Sequence, residues 1–212
     1  MSPNEFESAL RLAPLGSVLI SYGDGDKPSG LKGWLVKLGY DGIRKHQRAL
    51  WPKSNKTDGV HVQIKVSSTG LMGSWVSAEV PRVIEHFNPA PDLDRRKYRL
   101  YAYKFGWLPE SEDALIEYAR WMVGKDYDLL QLIGIATAEQ KWIPKFARHW
   151  IGTRMQLPGR KEVCSTLAAR ALEAARRLAG DLPKPVDVDP FDCTPAHFEH
   201  SPNMTLRAEI NT

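Results

Sequence analysis

The sequence predicts an α+β protein: a small antiparallel sheet packed on helices. Three observations predict it. Strand-like runs gather in the first half of the chain, the two strongest helical patterns stand alone in the second half, and strands and helices come in blocks rather than in alternating β-α-β order. No internal repeat and no low-complexity linker divides the chain, so one domain is expected over 1–212, with its core at about 14–202 and a tail at 203–212.

The elements follow in order. A short helix is expected over 5–12, stopped near Pro14. Val18-Leu19-Ile20-Ser21-Tyr22 reads as a strand closed by the turn signal Gly23-Asp24-Gly25-Asp26. Between 29 and 50, Leu31, Trp34, Leu35 and Leu38 form one apolar helix face. Val60-His61-Val62-Gln63-Ile64-Lys65-Val66 alternates as a half-buried strand does, and after a Ser-Ser-Thr-Gly turn the run 74–80 reads as the next strand, ending before Pro81. Asn88-Pro89-Ala90-Pro91-Asp92 is a loop, and Tyr98-Arg99-Leu100-Tyr101-Ala102-Tyr103 is a third central strand. A helix over 110–123 has Ser111 as its expected N-cap, acids in its first turn and Gly124 beyond its end. The apolar and aromatic stretch 129–151 predicts helical pieces broken at Gly134 and Pro144. Helix 165–179 carries Leu167, Ala171, Leu172, Ala175 and Leu178 on one side, with Gly180 ending it. The proline-rich remainder reads as a loop or extended wrap.

Composition narrows the function classes. No run approaches the ~18 uninterrupted apolar residues of a membrane span, and the polar, acidic start lacks a signal peptide's basic and apolar regions. Two cysteines are not a disulfide framework, which fits free thiols in a reducing compartment. A net charge of +4 is mild. The basic residues of the second half (Arg148, Arg154, Arg160, Lys161, Arg170, Arg176, Arg177) read as a solvated surface. No zinc-finger spacing, RNP-type strand or long Lys/Arg block points to nucleic acid.

Chemistry enters at Cys164. It opens a strong helical stretch after an irregular approach, and a thiol at a helix N-terminus feels unpaired N–H groups and the positive end of the macrodipole. A buried core cysteine is the competing reading. A cysteine hydrolase needs a thiolate, an imidazole to shuttle its proton and a polar group to orient the imidazole. His61, on a strand, suits the second role. On the following strand Trp75, Ser77 and Glu79 share a face, so Glu79 or Ser77 suits the third. Glu79 is the better orienter, because a carboxylate both fixes the tautomer and stabilises imidazolium. Cys193, His197 and His200 lie close in sequence, but no fourth ligand is near and no metal or other cofactor is expected. Gly23-Asp24-Gly25-Asp26 lacks the later ligands of a calcium loop. The stretch 141–151 reads as a short helix packing over the core or as a lid facing a membrane or glycan.

The order of these pieces resembles the permuted NlpC-type, papain-like cysteine hydrolases, in the YiiX-like and lecithin:retinol-acyltransferase-like branch, where the histidine strand precedes the nucleophile helix. Leu12-Ala13-Pro14-Leu15-Gly16-Ser17-Val18-Leu19-Ile20 is similar to the family's opening strand. Gly59-Val60-His61-Val62-Gln63-Ile64 is similar to its histidine strand, and Trp75-Val76-Ser77-Ala78-Glu79 to the strand carrying a Glu-Ala pair. Gly124-Lys125-Asp126-Tyr127-Asp128 resembles its Gly-x-x-Tyr-Asp turn, Val163-Cys164-Ser165-Thr166-Leu167 its nucleophile motif, and Asp192-Cys193-Thr194-Pro195-Ala196-His197-Phe198 its late Ser/Thr-Pro segment. The likeness spans residue 16 to about 202. Ser17 and Thr166 replace the family's usual Asp and Glu, and Ala78-Glu79 inverts the expected pair, which puts Ser77 at the acid position in a strict register.

The resemblance implies a papain-like fold, Cys164 as nucleophile, His61 as base, Glu79 as orienter, and Tyr127 with Ser77 near the substrate cleft. It implies cleavage of an amide bond through a thioester, with peptidoglycan stem peptides as the leading substrate. A lipid acyltransferase or thioesterase using the same thiol, and a catalytically silent structural or binding module such as a virion component, are the alternatives. Made in the cytoplasm without a signal peptide, such an enzyme reaches the wall by lysis or within a phage particle, where virion or assembly partners are expected.

Overall fold

The computed structural model describes residues 1–23, 30–128 and 163–211. The expected Gly23-Asp24-Gly25-Asp26 turn, the apolar stretch 129–151 and the basic residues Arg148, Arg154, Arg160 and Lys161 therefore fall wholly or mostly outside the described residues.

Helix α1 (Pro3–Leu12) begins where Ser2 and Glu5 cap each other: the Glu5 carboxylate accepts from the Ser2 amide at 2.7 Å and the Ser2 hydroxyl accepts from the Glu5 amide at 3.4 Å. Strand β1 (Val18–Tyr22) leads to helix α2 (Gly30–Leu50), then to β2 (Gly59–Ser67), β3 (Ser74–Ala78), β4 (Val83–His86) and β5 (Tyr98–Tyr103). Helix α3 (Pro109–Met122), helix α4 (Cys164–Leu178), a 3-10 turn (Pro190–Asp192), helix α5 (Pro195–His200) and strand β6 (Met204–Ile210) complete the described elements. The sheet is six-stranded in the order β4-β3-β2-β1-β5-β6, and each neighbouring pair is antiparallel. The α+β class is the one the block pattern predicts.

Alternation along the strands gives the sheet two apolar faces. Val18, Ile20, Val62, Ile64 and Val76 pack on Leu115, Ala119 and Met122 of α3 and on Leu167, Ala168, Ala171, Leu172 and Ala175 of α4. Leu19, Trp75, Tyr98, Leu100, Ala208 and Ile210 pack on Phe6 and Leu10 of α1. Lys65 sits fully buried on this second side, and its ammonium donates to the Leu10, Arg11 and Ala13 carbonyls at 2.8, 2.9 and 2.8 Å, closing the C-terminus of α1. No described helix is long and apolar enough to cross a membrane.

Four expectations are corrected. Residues 204–210 are not a tail: β6 pairs with β5 from Met204↔Tyr103 to Ile210↔Tyr98. Strand β4 is an additional element between Pro81 and the 88–92 loop. Ser111 is not the N-cap of α3. Leu108 holds that position with no side-chain bond, because Pro109 occupies the first helical position and starts the helix earlier; Ser111 is buried inside the first turn. Trp34 and Leu38 are exposed, while α2 turns Val36, Ile43 and Gln47 inward.

Gln47 then anchors the approach to β2. Its amide donates to the Thr57 and Gly59 carbonyls at 2.8 and 3.0 Å and accepts from the Ala196 amide at 2.7 Å, tying α2, β2 and α5 together. Gly59 has to be small there: a Cβ would stand 2.7 Å from Ile20 Cγ2 and 3.2 Å from Pro195 Cβ.

Candidate active site

His61 lies two residues past Gly59, where the β1–β2 register shifts: Ser21 pairs with His61 but Tyr22 pairs with Gly59. This irregularity breaks the strict alternation of β2. Neighbouring Val60 and His61 both line one cleft, as a bulged strand permits.

On the other flank β2 pairs with β3 at Ile64↔Val76 and Lys65↔Trp75, and Glu79 follows directly on the end of β3. Glu79 Oε1 stands 3.5 Å from His61 Nε2, an ion-pair contact longer than a hydrogen bond. Ser77, buried in β3, donates to Glu79 Oε1 at 3.0 Å. Of the two orienters the sequence leaves open, Glu79 is the one beside His61, and Ser77 supports Glu79.

Cys164 is the first residue of α4. Its N-cap, Val163, makes no side-chain bond to the first-turn amides. The next residue, Ser165, fastens the helix start by donating to the Cys193 carbonyl at 2.6 Å. The thiol meets the imidazole. Burial opposes a charged His61, but the charge of Cys164 and a hydrogen bond to it, with the nearby Glu79 carboxylate adding its charge, raise the ring to about 10. Glu79 answers in the opposite direction: burial works against its ionisation, yet the neighbouring His61 and His86 rings hold it well below the usual carboxylate range.

Tyr127 shares this neighbourhood. Burial first, then the charges of Cys164, Tyr40 and Asp128, push its phenol well up. The turn that carries it is pinned to the β3–β4 connection: the Tyr127 amide donates to the Pro81 carbonyl at 2.9 Å and the Val83 amide to the Lys125 carbonyl at 2.8 Å. Gly124 begins the turn with φ +85°, a conformation that suits glycine.

The cleft encloses about 250 Å³. His61, Glu79, His86, Gln63, Tyr40 and Tyr127 are among its walls. Cys164 is 3% exposed and lies off the lining, next to the lining residues His61 and Tyr127 whose ionisation it shifts. Sequence reasoning missed His86. It sits at the end of β4 with Nε2 2.7 Å from Glu79 Oε1 and 3.3 Å from Ser77 Oγ. The signal was the alternating Val83-Ile84-Glu85-His86 run, too short to stand out after a proline.

Cys193, His197 and His200 go elsewhere. Cys193 is buried beside the α4 start, where burial and then the charges of Cys164 and Asp192 push its thiol up. His197 Nδ1 accepts from the Thr194 amide at 3.0 Å, and both histidines pack on Trp51, with His200 stacked at 4.5 Å between ring centroids. Among the described residues no group of three or more His, Cys, Asp or Glu is placed to hold a metal ion.

No family model matches the chain, and no curated protein matches it.

Proposed function

We propose that this protein is a cysteine hydrolase of the permuted, papain-like kind, with Cys164 as nucleophile, His61 as general base and acid, and Glu79 as orienter. The observation that carries the reading is the meeting of the Cys164 thiol, at an open helix start, with the His61 imidazole, which has a carboxylate on its other side.

Each group has a step. With His61 Nε2 turned to Glu79, Nδ1 is the nitrogen left for the thiol. The imidazole takes the thiol proton and the sulfur attacks an acyl carbon. The tetrahedral oxyanion is met by N–H groups at the start of α4, whose N-cap Val163 makes no side-chain bond to them. Imidazolium returns its proton to the leaving amine, the C–N bond breaks and an acyl thioester remains. His61, neutral again, removes a proton from water, hydroxide adds to the thioester, and the released sulfur recovers its proton from the imidazolium. Glu79 stabilises the imidazolium in both halves.

Peptidoglycan stem-peptide amide bonds are the leading substrate, and a phage-borne or lysis-delivered enzyme is the setting that brings such a protein to the wall. The test is digestion of purified muropeptides followed by mass spectrometry of the fragments. Wild type cleaves and Cys164→Ser does not. Label transferred from a short acyl ester to Cys164 without muropeptide cleavage would select lipid acyl transfer. A folded protein with neither reaction, and with ordinary iodoacetamide reactivity, would select a silent structural module.

A further inference from the structure

The Glu79 carboxylate is contested. Its Oε1 lies 2.7 Å from His86 Nε2 and accepts from Ser77 Oγ at 3.0 Å, whereas His61 Nε2 stands 3.5 Å away. A carboxylate oxygen has about two lone-pair directions, and His86 and Ser77 occupy both. The consequence is visible on the other partner: His61 Nε2 is buried and has no hydrogen-bond partner among the described residues. The three side chains reach Glu79 from three strands, His61 from β2, Ser77 from β3 and His86 from β4. Ser77 is fully buried, whereas His86 is partly exposed on the wall of the cleft.

We propose that His86 is a positioning residue that holds Glu79 away from His61, so that the His86 ring decides how much of the carboxylate the catalytic imidazole receives. The inference rests on the reading of Cys164 and His61 as a reactive pair, but its mechanism is a competition for one oxygen and exists whether or not the protein hydrolyses anything. A purely structural His86 would weaken the site when removed. Removal of a competing His86 would strengthen it.

The experiment uses the full chain carrying Cys164→Ala, which removes the thiolate as a second influence on His61, with its histidines ¹⁵N-labelled for NMR titration. Replacing His86 by Leu should raise the proton affinity of His61 about tenfold and bring a hydrogen-bonded Nε2 proton into view as Glu79 closes. His86→Gln, whose amide N–H can still reach the carboxylate, should leave the His61 titration as it was. His86→Phe keeps the ring volume and should repeat the leucine result if leucine disturbs the edge strand. In a Glu79→Gln background none of the His86 variants should matter. An unchanged or lowered His61 titration in both His86→Leu and His86→Phe would overturn the proposal, as would the same rise without the Glu79 carboxylate. Because no turnover is measured, failure here is separate from failure of the muropeptide digestion.

Discussion

His61 is buried, which opposes its charge, but its neighbours Cys164 and Glu79 favour the protonated ring. Removing the ring removes the partner of the thiol, so His61→Ala should lower the iodoacetamide alkylation rate of Cys164 at pH 7 by about one to two orders of magnitude, read by mass spectrometry over time. An unchanged rate would mean that the helix start alone sets the sulfur's reactivity. Glu79 supplies a pH test with a definite sign. Its folded carboxyl lies below the ordinary value of 4.5, since the two histidines beside it outweigh the burial that opposes its charge. The native state therefore binds fewer protons than the unfolded state near pH 4.5, and stability rises with pH there. That contribution is present above pH 4.5 and is lost as the pH falls towards the folded value. Urea melts between pH 6 and pH 3 should show wild type losing stability faster than Glu79→Gln; parallel losses would remove Glu79 from the account. These two residues were legible because their chemistry shows in their type and spacing. His86 was not: one histidine at the end of a four-residue strand gains meaning only when β4 pairs with β3, Trp75↔His86 and Ser77↔Ile84, and brings its ring to Glu79.

At the scale of elements, the positions of α1 and β2 are coupled by one charge. Burial lowers the Lys65 amine to about 8, while the three carbonyls it serves favour the ammonium form. Lys65→Met keeps the bulk and leaves those carbonyls without their donor, and should cost about 2–4 kcal/mol in chemical denaturation. A loss within experimental error would show that α1 finds another C-terminal partner. Alternation exposed β2 in the sequence, and strand-like runs exposed β1 and β5. The run Met204-Thr205-Leu206-Arg207-Ala208-Glu209-Ile210 alternates too, yet its prolines upstream suggested a wrap. It becomes a strand because the free edge of β5 accepts its hydrogen bonds. Helix α2 misled in the other direction. Trp34 and Leu38 are its conspicuous apolar residues, but the inward face is set by Val36, Ile43 and the polar Gln47, which answers backbone groups of β2 and α5.

Across the whole molecule, a buried polar cluster joins parts of the chain about a hundred residues apart. Arg99 on β5 donates to Glu199 of α5 at 2.7 Å and to Glu209 of β6 at 3.0 Å, and Tyr101 adds a bond to Glu199 at 3.3 Å. Glu199→Leu leaves the Arg99 guanidinium with Glu209 and the Tyr22 hydroxyl and should cost about 3–5 kcal/mol, measured as a shift in denaturation midpoint at constant slope. A change below 1 kcal/mol would mean that water or Glu209 takes over. By itself the sequence determined what depends on neighbours along the chain: capped and amphipathic helices, alternating strands, a thiol at a helix start and a histidine on a strand. Only the tertiary structure decided which carboxylate oxygen meets which imidazole, that β4 and β6 exist as edges, and that Cys164 stands behind the cleft wall. The reason is physical. Helix caps and alternation are written within a few residues, whereas strand register and burial are set by hydrogen bonds and packing between segments that the chain order keeps apart.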